Sequence, residues 1–88
     1  MNTAIAGTLE SMDCMVTVTE KSAGAGVSIE LEGSSVKRFH TIMKKTILQT
    51  LKELGVNDID VKVNDHGALD VVLAARVETA VRRMRGEK

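Results

Sequence analysis

The apolar residues change their repeat part-way along the chain, and that change restricts the folds available to it. In VSIELEG (27–33) they fall on every second position: Val27, Ile29 and Leu31 on one side, Ser28, Glu30 and Glu32 on the other. From Val36 the repeat becomes three or four, through Phe39, Ile42, Met43, Ile47, Leu51 and Leu54. The first repeat is that of a half-buried strand and the second that of one helix face. Cys14–Glu20 also alternates, with Cys14, Val16 and Val18 opposite Met15, Thr17 and Thr19, and KSAGAG (21–26) forms a small-residue turn. Two adjacent strands joined by a short glycine-containing loop predict an antiparallel hairpin.

A third strand is predicted at IDVKVN (59–64), with Ile59, Val61 and Val63 inward. A second helix follows over 68–84 through Leu69, Val72, Leu73, Val77, Ala80, Val81 and Met84. Ser34 or Ser35 can cap the first helix and Gly55 can end it, while Asp65 is the candidate N-cap before the second. Residues 1–10 lack a sustained period, so residues 1–12 are expected to form a flexible arm. The resulting fold class is α+β: a three-stranded sheet in the order β-β-α-β-α, covered on one face by two amphipathic helices. At 88 residues this is one domain, 1–88, with a modest core. Val27, Ile29, Leu31, Phe39, Ile47, Leu51, Val61, Val63, Leu69, Leu73 and Val77 are expected to be buried.

Composition removes several function classes. Lys plus Arg and Asp plus Glu number 12 each, so no net field draws the chain to nucleic acid or membrane. Phe39 is the only aromatic residue, which argues against recognition by base or sugar stacking. No apolar run approaches the roughly 20 residues of a membrane span. MNTAIAGTLE lacks the basic start and apolar stretch of a signal peptide, and a single cysteine fits a reducing cytoplasm. A cytoplasmic location is therefore expected. Charge is nevertheless segregated, with five acids (Glu10, Asp13, Glu20, Glu30, Glu32) against Lys21 in residues 1–35. Lys37, Arg38, Lys44, Lys45 and Lys52 make the first helix basic, and Arg76, Arg82, Arg83 and Arg85 the second.

The candidate site is AGTLESMDCMV (6–16), where Ser11 lies between Glu10 and Asp13. A nucleophilic serine needs a base to take its proton, and no histidine is near in sequence. The residues themselves leave two alternatives: an ordinary turn, or a serine placed there to be modified. Cys14 at an inward strand position reads as a small buried hydrophobe rather than a nucleophile. His40 and His66 are too few for a metal site, which takes three or four ligands, and both are expected to be exposed. The arginines of the second helix can contact phosphate or complement the helix C-terminus. Met12, Met15, Met43 and Met84 read as core filling.

AGTLESMD (6–13) and DHGALDVVLAARVETAVRRM (65–84) together resemble the acyl carrier subunit of citrate lyase, its gamma chain. The related carrier subunit of malonate decarboxylase shares the general plan. The resemblance covers nearly the whole chain and does not extend to the four-helix-bundle carriers. It implies that Ser11, matching the serine of the GTLES motif, carries 2'-(5''-phosphoribosyl)-3'-dephospho-CoA through a phosphodiester. The thiol of that group would hold acetyl or citryl as a thioester. The implied partners are the alpha (acyl transferase) and beta (citryl lyase) subunits and a prosthetic-group transferase, which would activate Ser11. On this reading the chain performs no catalysis itself. The family often places a small residue after this serine, where Met12 stands here. The alternatives are a carrier in a malonate decarboxylase-like complex and a small α/β interaction or nucleic-acid-binding module using the basic helix faces. A free-standing enzyme built on Ser11 or Cys14 is a third reading.

Overall fold

A computed structural model describes residues 2–87. It contains β1 (Thr3–Gly7), β2 (Cys14–Glu20), β3 (Val27–Gly33), α1 (Val36–Glu53), β4 (Ile59–Asp65) and α2 (Asp70–Met84). The four strands form one sheet in the order β1-β2-β4-β3. Both helices pack against it and against each other, α2 over β1 and β2, α1 beside β3. The α+β class with two helices on a small sheet is as expected, but the sheet has four strands rather than three.

The additional strand lies where a flexible arm was expected. Thr3–Gly7 pairs antiparallel with β2, Ala4 opposite Val18 and Ala6 opposite Val16. The segment carries the alternation of a strand, but with alanines on its inward side. Ala6 is buried and Ala4 half-buried beneath α2. Alanine on the inner face lets the helix approach closely and gives little hydropathy signal, so the period of two goes unnoticed.

The hairpin between β2 and β3 also does not form. β4 lies between them, antiparallel to β2 and parallel to β3, with Val61 opposite both Val18 and Ile29. Parallel neighbours require a long crossover, which α1 supplies between β3 and β4. The central position suits β4, because Ile59, Val61 and Val63 are all buried to within 1% of full burial. β3, with Glu30 and Glu32 on its other side, takes the edge, where charged residues guard exposed backbone. Its inward residues are accordingly less covered: Ile29 and Leu31 are half-buried and Val27 is exposed.

Cys14, Val16, Val18, Ile59, Val61 and Val63 meet Met43, Ile47 and Leu51 from α1 and Leu73, Val77, Ala80, Val81 and Met84 from α2. Phe39 and Leu69 were expected in this core but are 46% and 60% exposed. Phe39 departs from helical geometry (φ −120°, ψ 15°), which offsets the first turn of α1 from the buried stripe. Leu69 is extended (φ −71°, ψ 156°) and precedes α2, so it does not share the helix's inward face. Of the methionines, Met43 and Met84 are buried, whereas Met15 is half-buried and Met12 exposed.

The caps differ in detail. Ser35 occupies the N-cap of α1 without a side-chain cap bond, and Leu69 rather than Asp65 precedes α2. Asp65 is instead the last residue of β4 and is 2% exposed. Its carboxylate accepts bonds from the Gly67 and Ala68 amides at 3.1 and 3.0 Å. It therefore shapes the β4–α2 loop rather than the helix start. Gly55 ends α1 with φ +70°, as expected.

Leu51→Ala should lower unfolding free energy by about 2–5 kcal/mol, and Phe39→Ala by about 1 kcal/mol or less. Urea denaturation of the two variants measures both, and equal losses would contradict the positions assigned to these side chains.

Candidate functional site

The connection from β1 to β2 is a tight turn held from three directions. Gly7 opens it with φ +97°, and a Cβ there would collide with the Cys14 carbonyl oxygen. Only glycine meets both requirements. The Thr8 hydroxyl accepts a bond from the Glu10 amide at 3.1 Å and donates to Asp13 Oδ2 at 2.7 Å. The Asp13 amide donates to the Glu10 carbonyl at 3.2 Å, closing a four-residue turn over Glu10, Ser11, Met12 and Asp13. Ser11 occupies the second position and is exposed, as are Glu10 and Met12 beside it. The hydroxyl is thus open to approach at the tip of an otherwise constrained segment.

Asp13 is the centre of the constraint. Its carboxylate also accepts the Cys14 amide at 2.7 Å. From α2, Arg76 donates Nε to Oδ1 at 3.0 Å and Nη2 to Oδ2 at 2.9 Å. This two-point contact is the strong form of a charge-assisted pair. The Arg76 bonds, then those of Thr8 and the Cys14 amide, hold the Asp13 carboxyl far below the usual carboxylate range. The same pairing raises the Arg76 pKa. Asp13 is a permanently charged tie and not a proton carrier at neutral pH.

The β4–α2 loop clasps the turn from the other side. The Met12 amide donates to the His66 carbonyl at 2.7 Å, and the His66 amide to the Asp13 carbonyl at 2.9 Å. These contacts use the His66 backbone, and its side chain is exposed. Met12 is held at φ +65°, the only non-glycine residue with positive φ among those described. That conformation costs an L-residue roughly 1–2 kcal/mol, which glycine alone would avoid.

Cys14 faces into the core and is fully buried. Burial, then the charges of Asp13 and Asp65, push its thiol up to about 11. A thiol so disposed is not a nucleophile at neutral pH. His40 is exposed on α1. Among the described residues, no three His, Cys, Asp or Glu side chains are grouped to hold a metal. No helix there is long and apolar enough to cross a membrane.

The C-terminal arginines have other occupations. Arg82 pairs with Glu78 and Glu87, Arg83 donates to the Ile5 carbonyl, and Arg85 to the Leu54 carbonyl. Arg83 and Arg85 fasten the end of α2 to its surroundings, while the Arg82 pairs stay within α2 and the residues just after it. Sequence reasoning grouped Arg76 with them and missed its pairing with Asp13. The available signal was its position, three residues after Leu73 and four before Ala80, on the inward stripe of α2.

An acyl carrier family described as the malonate decarboxylase delta subunit matches residues 1–84. The citrate lyase acyl carrier protein of Streptococcus uberis is 46% identical over 98% of this chain and 83% of its own length. That of Fusobacterium nucleatum is 46% identical over 90% of this chain and 83% of its own. The chain belongs to the citrate lyase acyl carrier protein family. A chain in the crystal structure of a Pseudomonas malonate decarboxylase hetero-tetramer in complex with malonate shares its fold. The TM-score is 0.72, over 94% of this chain and 84% of that one, at 18% identity. The carrier fold is therefore an α+β sheet, not a helical bundle.

Two measurements test the turn. Because the folded Asp13 pKa lies below the 3.8 of an ordinary aspartate, its stabilisation is present above the unfolded value and is lost on acidification. The advantage of the unaltered protein over Asp13→Asn in urea midpoint should be full above about pH 5 and shrink towards about pH 2. A gap constant across that range would remove Asp13 from the account. Met12→Gly should leave stability unchanged or raise it by up to about 1 kcal/mol, because glycine relieves the positive φ while adding unfolded-state entropy. A loss above that size would show that the Met12 side chain stabilises the turn.

Proposed function

We infer that the chain is the acyl carrier subunit of a citrate lyase and that Ser11 is its attachment point. The exposed Ser11 hydroxyl on a fixed turn, in the GTLES motif of a carrier family, carries this reading. A phosphodiester at Ser11 Oγ fits the geometry, since the oxygen is exposed while the backbone around it is anchored through Asp13, Thr8 and Arg76. A base beside Ser11 is unnecessary if a separate transferase activates the hydroxyl. The group, 2'-(5''-phosphoribosyl)-3'-dephospho-CoA, supplies a thiol that holds acetyl or citryl as a thioester. The protein's part is to fix one end of that tether and to dock on the alpha (acyl transferase) and beta (citryl lyase) subunits of a cytoplasmic complex. The carrier is non-catalytic in this assignment. Tethering keeps the thioester at about millimolar effective concentration near successive sites.

A second reading, carriage for a malonate decarboxylase-like complex, draws support from the description of the matching family. The partners distinguish the two: the modified chain is expected to restore citrate cleavage with citrate lyase alpha and beta subunits. Restoration only of malonate decarboxylation would select the second reading.

Protein from its native host should carry one added mass on the peptide containing Ser11. A serine phosphodiester lies beta to an acidic Cα–H, so mild alkali should eliminate it, leaving dehydroalanine at position 11. Ser11→Ala should change stability by no more than about 0.5 kcal/mol and abolish cleavage, whereas Cys14→Ala should retain it. Full cleavage by Ser11→Ala after treatment with the modifying enzymes would place the attachment elsewhere.

A further inference from the structure

We propose that the free edge of β1 docks an extended, acidic segment of a partner subunit, which joins the sheet as a fifth strand beside the Ser11 turn. This rests on the carrier assignment made above. The sheet has two edges, and they are built differently. β3 carries Glu30 and Glu32, whereas β1 reads TAIAG, with neither a charge nor a proline to discourage another strand. The ladder shows which of its backbone groups are free. The Glu20 amide donates to the Asn2 carbonyl at 2.8 Å, and the register places Ala4 opposite Val18 and Ala6 opposite Val16. Antiparallel pairs alternate, so Asn2, Ala4 and Ala6 turn their backbone groups to β2, and Thr3 and Ile5 turn theirs outward. The Ile5 carbonyl accordingly accepts Arg83 Nη1 at 2.8 Å. The Thr3 amide and carbonyl and the Ile5 amide face away from the sheet, and the Ile5 side chain is exposed on the side opposite the helices.

The edge's own chemistry specifies the occupant. Backbone donors and acceptors at strand spacing are met by another extended backbone. Charge then selects among the candidates. Arg76 pairs with Asp13, Arg82 with Glu78 and Glu87, and Arg85 with Glu87, so Arg83 is the arginine of this cluster with no carboxylate partner among the described residues. Two β1 strands paired about Ile5 would bring the Arg83 side chains of both copies together. The β3 edge of a second copy fits no better, because Glu30 and Glu32 lie opposite the helix-facing Ile29 and Leu31, while Arg83 reaches the edge from α2. A partner strand with a carboxylate on its helix side meets the requirement. One of its amides replaces the guanidinium at the Ile5 carbonyl, and Arg83 turns to the carboxylate. β1 leads through Gly7 into the anchored turn, so main-chain pairing along it sets the partner's register relative to Ser11.

The test uses the full chain with the citrate lyase alpha and beta subunits. In the complex, the Thr3 and Ile5 amides should exchange hydrogen at least about tenfold more slowly than in the free carrier. The Ala4 and Ala6 amides, bonded to β2 throughout, serve as the internal reference. Ile5→Pro removes an outward amide and no β1–β2 bond. It should retain a cooperative urea transition and bind the docking subunit about tenfold or more weakly, the loss of one or two hydrogen bonds. Ile5→Lys, which adds a charge to the edge without altering the backbone, should weaken binding in the same direction. It decides the matter if the proline variant does not fold. Arg83→Glu should weaken binding and Arg83→Lys largely preserve it. Unchanged exchange at Thr3 and Ile5, with Ile5→Lys binding like the unaltered chain, would overturn the docking edge and leave the carrier assignment standing. Failure of the unaltered chain to bind either subunit, with no group on Ser11, would overturn both. Protection of Thr3 and Ile5 that rises with the carrier's own concentration would assign the edge to a second copy and also overturn the proposal.

Discussion

The turn that presents Ser11 depends on one ion pair, Asp13 with Arg76. Exposed pairs generally contribute little, because solvent screens them and two side chains must be ordered. This pair differs in geometry. Two guanidinium nitrogens, Nε and Nη2, each engage one carboxylate oxygen, and Thr8 and the Cys14 amide occupy further acceptor sites. One carboxylate thus joins α2, the end of β1 and the start of β2, across 63 positions of sequence. Without it the β1–β2 connection would keep the Thr8–Glu10 bond, the Glu10–Asp13 turn bond and the two backbone bonds exchanged with His66. The pair makes the turn an extension of the sheet-and-helix body rather than a loop hanging from it.

Where the sequence was legible, a strong period made it so. α1, α2 and the alternations of β2, β3 and β4 carry large apolar residues at regular spacing, and each element appears at its expected place. β1 uses Ala4 and Ala6 inward, too small to register as apolar alternation, and so reads as an arm. Strand order is a different matter. A period tells which face of a strand is buried but not which neighbour it pairs with, so the β2–β3 hairpin followed from proximity alone. The central place of β4 is instead a question of which strand has the most apolar surface to hide, and Ile59, Val61 and Val63 outrank the acid-bearing β3. Ser11 was legible as a candidate through its motif. Asp13–Arg76 was not, because the partners lie far apart in sequence and each resembles an ordinary surface charge.

The anchored turn also relocates the mobility that a carrier needs. A flexible protein arm would add its own disorder to that of the tethered group and lower the effective concentration at each docking site. With Thr3–Gly7 in the sheet and residues 8–13 fastened, the swing proposed here belongs to the group alone. The body then sets a fixed origin for that swing, and partner subunits can recognise a defined surface around it. The left-handed Met12 fits the same arrangement: the turn holds a backbone conformation that its own residue disfavours, because bonds on both sides impose it.

A hydroxyl between two carboxylates at first looks like a poor place for a phosphodiester, since like charges at short range repel. The structure separates the two acids. Asp13 is turned away from the tip and neutralised by Arg76, so its charge is already matched before any group is attached. Glu10 remains exposed beside Ser11, where water and salt screen it. The local field at Ser11 Oγ is therefore less negative than the sequence ESMD implies, by about one charge. On the proposed assignment, Arg76 has two effects through one contact. It fixes the backbone that presents the serine, and it removes the charge that would most oppose a phosphate there.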